Sequence, residues 1–509
     1  MARAADKHGT DKVMVCSFTK AAATEIGNRE IPIAKKMYGT LHSICWRTLE
    51  TPEIAETKAS EFNEQYPEYS ITKTGKQGLD DGLDQPSFSN RGDELLAMLQ
   101  LNRARMIPEE AWPERVRRFN NVWSEWKERS DYYDFTDLIE TAVRRIIHPP
   151  HGPNVIFIDE AQDLSKLQFN LVRQWAEHTE FTVMVGDDDQ CIYTFSGADA
   201  RNLIGSDLPD ENKIVLSRSY RLPRRIHARC QSWIEKCSQR QPKEFQPTDE
   251  EGEIVELKHG DWKHPEPIID DITERLADNE TCMILGACGY MLPPTIAMLR
   301  EAGIVFHNPY RVTRADWNPL RQGEGSVSAR ISAFLNCGED GLFPRWTAHQ
   351  FNLWIDLIDA KKLLKHGAKK AIKHYATEKP GQVWLQDDWM EFFKTDPFGF
   401  DPVNIGWLMR NVRDAKQKSI AYPAAILKQH GRFPQPKVIV GTIHSVKGGE
   451  ADNVYLFPDV SNQGYAEWRA AGERRDSVVR AFYVGLSRAR KRVILPQPVG
   501  GVSVPLRGT

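Results

Sequence analysis

No apolar run in this 509-residue chain approaches the ~20 residues that a membrane-spanning helix requires. No membrane partner is therefore expected. The first twelve residues, MARAADKHGTDK, contain no apolar core of the kind that marks a secretory signal. The eight cysteines are scattered, with no CxxC pair and no spacing suited to a metal. Buried thiols in a reducing, cytoplasmic setting are the expectation, with Cys16, Cys191 and Cys282 in or beside strands. A surplus of positive charge is also missing, since 67 Lys and Arg face 70 Asp and Glu, a net charge of −3. Any surface for a polyanion must then be a local groove rather than a basic coat. What remains is an ordinary globular composition, 40% hydrophobic and 27% charged. At ~100–200 residues per domain, the length allows about three or four domains.

The densest signal lies in residues 154–199. Val155, Ile156, Phe157 and Ile158 form an unbroken apolar run that leads into Asp159 and Glu160. Such a run suits a strand buried on both faces of a parallel sheet. Ligands of these sheets sit outside the carboxyl ends of the strands, so both acids emerge where a nucleotide would lie. One carboxylate, Asp159, can hold Mg²⁺ through water. The other, Glu160, can orient and deprotonate an attacking water. A second strand over residues 181–185 delivers Gly186, Asp187, Asp188, Asp189 and Gln190 to the same edge. A glutamine there can bond a γ-phosphate and sense its loss. The plainer alternative is a pair of acids capping a helix that begins at Ala161.

DEAQD followed by GDDDQCIYTFSGAD resembles motifs II and III of the UvrD/Rep-like superfamily 1 helicases. Further segments resemble the other motifs, in the family's order. After a strand at Val13–Ser17, SFTKAAATEI is similar to motif Ia, which implies that Phe18 and Thr19 lie beside single-stranded DNA and Lys20 near its backbone. A core position beneath the Ala-rich helix is the alternative for Phe18. Tyr38-Gly39-Thr40-Leu41-His42-Ser43 resembles motif Ib, where Thr40 and His42 suit phosphate contacts. A hydrogen-bonded turn is the alternative for His42. Asp134-Phe135-Thr136-Asp137-Leu138 is similar to a segment that precedes motif II. Within motif III the resemblance sets Tyr193 and Phe195 against DNA bases while Gln190 faces the nucleotide, a physical link between the two sites. Core packing of both rings is the alternative.

A strand over 213–216 should lead into SRSYRLP, like motif IV, with Tyr220 stacking on adenine and Arg221 on the γ-phosphate. Strands over 253–257 and 281–285 should open a second α/β domain. There GACGYM replaces the Arg-containing segment usual in the group. Thr442-Ile443-His444-Ser445-Val446-Lys447-Gly448-Gly449-Glu450 closely resembles motif V, with Gly449 where the family usually has Leu. Thr442, His444, Ser445 and Lys447 suit DNA phosphates, and Glu450 can bond the ribose. Finally, Phe482-Tyr483-Val484-Gly485-Leu486-Ser487-Arg488 resembles motif VI, with Arg488 at the arginine-finger position.

One expected element does not occur. Helicases of this class start with a GxxxxGK[ST] loop, whose backbone N–H groups and lysine hold the phosphates. The chain contains no such pattern. Its nearest fragment, TKTGKQG, lacks the leading glycine and the hydroxyl after the lysine. The family's order puts the loop one helix upstream of Val13–Ser17, so the first strand, the loop and most of the first helix are expected to lie before Met1. The resemblance implies two RecA-like parallel-sheet domains with two mainly helical inserts. Residues 1–46 and 131–225 would form domain 1A and 47–130 insert 1B. Residues 226–316 and 432–509 would form domain 2A and 317–431 insert 2B. The implied activity is ATP- and Mg²⁺-dependent translocation on single-stranded DNA or single/double-strand junctions, 3′ to 5′. This chain could lack that activity, or a partner polypeptide could supply the loop. The alternative is a non-hydrolysing DNA-binding or interaction protein derived from a helicase.

Overall fold

The computed structural model describes residues 1–17, 33–72, 90–204, 208–323, 325–338, 344–399 and 403–508. Phe18, Thr19 and Lys20 lie outside the described residues. The chain folds as two compact units. The first comprises 1–261, 285–291 and 442–509, the second 262–284 and 292–441.

The first unit contains a parallel sheet of β1 (Val13–Ser17), β2 (Tyr38–Thr40), β3 (Val155–Asp159) and β4 (Phe181–Met184), in the order β2-β1-β3-β4. The register sets Val13 beside Val155 and Ser17 beside Asp159. Strand periodicity divides the apolar residues between two faces. Met14, Cys16, Ile156 and Ile158 pack with Leu138, Leu171 and Trp175. Val13, Val15 and Val155 pack with Ala5 of α1 (Ala2–His8).

Four helices of this unit start where a side chain replaces missing backbone partners. α2 (Leu41–Thr48) is capped by Thr40, whose hydroxyl accepts the Ser43 N–H at 3.2 Å. α3 (Arg91–Ala104) and α4 (Glu114–Ser130) enclose an aromatic cluster that includes Phe62, Phe119, Trp123 and Trp126. α5 (Phe135–Arg145) and α6 (Lys166–Ala176) each open with a reciprocal capping box, Asp134 with Asp137 and Ser165 with Gln168. The segment after Glu160 is a single 3₁₀ turn, Ala161–Asp163, rather than the start of an α-helix.

The strand expected over 213–216 is not formed. Its residues take part in no strand pairing, and Ile214 and Leu216 are exposed. Apolar sequence alone cannot make a strand when no neighbour completes its ladder. Further along the same unit, β5 (Glu253–Glu256), β6 (Ala451–Leu456) and β7 (Ala489–Leu495) are parallel, with β7 between the other two. α7 (Arg224–Ile234) and α8 (Glu473–Leu486) are joined by a hydrogen bond from Trp233 Nε1 to the Val479 carbonyl.

In the second unit Val438 and Ile439 pair in parallel with Phe306 and His307. One core of this unit is aromatic, built around Phe334, Trp346, Trp354, Trp389 and Trp407. The basic stretch from Lys361 to His374 lies on two helices. It divides into Ala360–Leu363 and Ala368–Glu378, separated by Gly367 at φ 82°. All eight cysteines are buried, and burial pushes the Cys16 thiol up to about 12. Among the described residues no helix is long and apolar enough to cross a membrane.

Candidate functional site

The carboxyl ends of β3 and β4 form two turns that are stitched together. Glu160 adopts a left-handed conformation at φ 54°, a conformation that costs a non-glycine residue ~1–3 kcal/mol. Its amide donates to Asp159 Oδ1 at 3.1 Å, and the Ala161 amide donates to the Val185 carbonyl at 2.9 Å. Gln162 joins the turns, donating from Nε2 to Glu160 Oε2 and accepting the Asp187 N–H at Oε1, 3.0 Å away. A Cβ at Gly186 would lie 2.5 Å from Gln162 Oε1, so a larger residue there would displace the side chain that joins the turns.

Cations reach these acids from distant parts of the sequence. The Lys447 side chain is only 5% exposed, with Nζ bonded to Asp163 and 3.6 Å from Glu160. It also lies 5.2 Å from the centre of the Tyr193 ring. Burial pulls the lysine pKa down, but Asp163 and Glu160 outweigh it and the net shift is upward. Asp163 is pushed up to about 7 by burial, which Lys447 only partly offsets and Glu160 reinforces.

Arg488 is 1% exposed. It donates to the Val484 carbonyl at 2.9 Å, the Gly449 carbonyl at 3.3 Å, Ser487 Oγ at 2.7 Å and Gln190 Oε1 at 3.0 Å. Burial lowers its pKa to about 10, with Arg221 adding to the shift and Glu160 opposing it. It therefore stays charged at neutral pH. Gln190 also donates to Asp187 Oδ2 at 2.7 Å, so one side chain links the β4 turn to the arginine. Arg221 donates to Glu450 Oε2 at 2.7 Å, and Arg490 pairs with the other oxygen of that carboxylate. Burial raises the Glu450 pKa, but the two arginines outweigh it and hold the group below its usual value. Tyr220 is 88% exposed.

Three rings expected to face a polynucleotide gather beside Lys447. The Tyr193 hydroxyl donates to the His444 carbonyl at 3.0 Å. The rings of Tyr193, Phe195 and His444 are mutually 5.8–6.2 Å apart. Tyr193 and His444 are buried, whereas Phe195 is half-buried. Thr442 and Ser445 are buried and bonded to one another, with Ser445 Oγ 2.8 Å from the Thr442 carbonyl. The His42 ring meets Phe135 edge-on at 6.2 Å, and burial lowers its pKa to about 4. At neutral pH His42 offers hydrogen bonds rather than charge.

Motif reading overlooked several of these groups. Asp163 and Gln162 belong to DEAQD, yet only Asp159 and Glu160 were assigned chemistry. Arg240 binds Asp189 at 2.7 Å, and Lys243 bonds both Asp187 and Asp188. Nothing in QRQPKEFQP signals this, because the contact spans more than fifty positions. Among the described residues no three acidic, His or Cys side chains form a metal cage. A Mg²⁺ ion held by one carboxylate, waters and phosphate oxygens does not require one. Asp159 at a strand end fits that role.

Residues 3–207 match the family described as the UvrD/REP helicase N-terminal domain. The chain is 27% identical over 282 residues to ATP-dependent DNA helicase PcrA of Bacillus subtilis, covering 50% of this chain and 38% of that protein. It is 27% identical over 270 residues to PcrA of Staphylococcus aureus, covering 48% and 36%. A shorter match to PcrA of Staphylococcus epidermidis is 33% identical over 124 residues, covering 23% and 17%. The chain thus spans little more than a third of the length of the first two relatives.

Proposed function

Because this chain is UvrD/Rep-like, with RecA-like parallel-sheet architecture, we propose that it is a DNA-stimulated ATPase motor part that translocates on single-stranded DNA. The observation that carries the reading is the Arg488–Gln190 bond at 3.0 Å, within range of the charge of Glu160. That bond ties the turn after β4 to a guanidinium group from far along the chain. Asp159 would hold Mg²⁺, which supplies charge neutralisation to the phosphates. Glu160 would orient a water for in-line attack and take its proton. Arg221 and Arg488 would stabilise charge on the transferred phosphoryl group. Gln190 would report its loss to Tyr193 and Phe195, three and five residues on. The aromatics beside His444 would hold DNA bases by stacking. Polarity of 3′ to 5′, action at junctions and a role in DNA repair follow from the resemblance.

A second reading is a DNA-binding protein that does not hydrolyse nucleotide. The Arg221–Glu450 pair favours it, because that guanidinium is already held by a carboxylate. Both readings are tested on the 509-residue chain by ATP affinity and by phosphate release with single-stranded DNA. The expected result is weak nucleotide binding, little hydrolysis, and a further loss of affinity in Arg221→Ala and Arg488→Ala. Turnover on the ~1–100 s⁻¹ scale of phosphoryl transfer would show that no further loop is required. Nucleotide affinity unchanged by both substitutions would sink the motor reading.

A further inference from the structure

The turn after β4 carries three consecutive acids, Asp187, Asp188 and Asp189, and then Gln190. Asp188 and Asp189 are 3% and 1% exposed. Adjacent buried carboxylates repel one another, so the turn needs cations close by to keep its charge. They come from one short segment, residues 238–243. Lys243 Nζ lies 2.6 Å from Asp187 Oδ1 and 3.1 Å from Asp189 Oδ2, and it also bonds Asp188 Oδ1. Arg240 donates to Asp189 from Nε at 3.0 Å and from Nη2 at 2.7 Å. The Gln241 N–H donates to Asp188 Oδ2 at 2.9 Å.

The other end of this segment is fastened to α8. Asp476, 1% exposed, accepts the Ser238 N–H at 2.9 Å, the Ser238 hydroxyl at 2.8 Å and the Gln239 N–H at 3.1 Å. Arg480 donates to the Gln239 carbonyl. α8 ends at Leu486, two residues before Arg488. Residues 238–243 thus bridge the turn that holds Gln190 and the helix that leads to Arg488, the two partners of the 3.0 Å bond.

A glutamine side chain can present either its oxygen or its NH₂ to a neighbour, whereas an ionised carboxylate can only accept. Asp187 Oδ2 accepts from Gln190 Nε2 at 2.7 Å, which leaves Oε1 for Arg488. Burial raises the pKa of Asp187, but Lys243 and Gln190 outweigh it and the net shift is downward. We propose that Lys243 is a positioning residue for Gln190, acting through Asp187 to fix which end of the amide meets Arg488, while Arg240, Ser238 and Gln239 clamp the turn to α8. Its use in turnover rests on the motor reading. With Nε2 facing Asp187, Gln190 would reach a phosphoryl group through Arg488 rather than by its own N–H.

The test uses the 509-residue chain with ¹⁵N-labelled glutamine. The Gln190 NH₂ signal is assigned by its absence in Gln190→Leu. It should stand apart from the exposed glutamines and exchange slowly with solvent. Lys243→Met and Asp187→Asn should each move it toward the exposed set, and Lys243→Arg, which keeps the charge, should move it less. Asp187→Asn leaves Asp188 and Asp189 to hold Lys243, so it breaks the relay while the segment stays anchored. Arg225→Met, which breaks a surface pair with Glu251, should leave the signal unchanged. A merely structural Lys243 would lower the melting temperature without moving the signal of the folded protein. A signal unmoved in both Lys243→Met and Asp187→Asn overturns the proposal. A fluorescent ATP analogue should bind both variants ~5-fold more weakly, as for the loss of one hydrogen bond. Signal shifts with unchanged nucleotide affinity would uphold the positioning role and count against the motor reading. Weakened affinity with an unmoved signal would do the reverse.

Discussion

Buried charge is handled in contrasting ways around Asp134 and around Asp163, both in the first unit. Asp134 accepts hydrogen bonds from Arg103, Lys127 and the Trp123 indole, with distances of 2.6–3.2 Å, and from the Asp137 amide at 2.8 Å. Burial alone would raise its pKa, but Arg103 and Lys127 hold it well below the ordinary carboxylate range. Glu56 nearby is pushed up to about 8 by burial and by Asp134, so this cluster sheds its surplus charge. Asp163 has Lys447 on one oxygen, and its other oxygen has no partner among the described residues. Glu160 competes for the same lysine, and Asp163 is pushed up to about 7. The first cluster holds an acid in one state with redundant donors. The second leaves its acid close to a change of state, a pattern that concentrates at functional sites.

Asp134→Asn should give the largest effect, because it leaves Arg103 and Lys127 buried without their shared acid. A loss of ~3–5 kcal/mol is expected from urea unfolding followed by tryptophan fluorescence. The stabilisation that Asp134 provides is present above the ordinary carboxylate pKa and is lost as pH falls below it, because its folded pKa is depressed. A loss under ~1 kcal/mol would erase the contrast between the clusters.

Lys447→Met should cost less, ~1–3 kcal/mol at pH 8, since Asp163 can accept a proton in place of its lost cation. The folded pKa of Asp163 is raised to about 7, so the folded state binds the extra proton between about pH 4 and pH 7. The contribution of Asp163 to stability therefore falls as pH rises through that window. The Lys447→Met penalty should shrink at pH 5, where Asp163 is already neutral. A penalty that grows on acidification would reverse the assignment.

The smallest expected effect is that of Tyr193→Phe, which removes one hydrogen bond to the His444 carbonyl. A cost of ~0.5–1.5 kcal/mol is expected, because a single neutral hydrogen bond contributes about that much. A larger cost would place Tyr193 with the rigid cluster rather than with the adaptable one.

The strands were legible where an apolar run is buried on both faces, as at Val13–Ser17 and Val155–Asp159. The failure at residues 213–216 is equally informative. Its composition is that of a strand, yet pairing depends on a neighbour that no local pattern can supply. The DEAQD and GDDDQ segments marked which residues gather at the sheet edge. They did not reveal that Lys447, read as a DNA-phosphate ligand, is directed at Asp163 and Glu160. Nor did they reveal that Thr442 and Ser445 are bonded within their own turn.

The sequence by itself determined the chemistry available: carboxylates after one strand, a glutamine after the next, and arginines near the far end. It could do so because strand periodicity and turn-forming residues are local properties. Only the tertiary structure decided which charge meets which, and that Asp163 has one partnered oxygen where Asp134 is fully satisfied. Those outcomes depend on burial and on partners hundreds of positions away, and neither is encoded in any short stretch of chain.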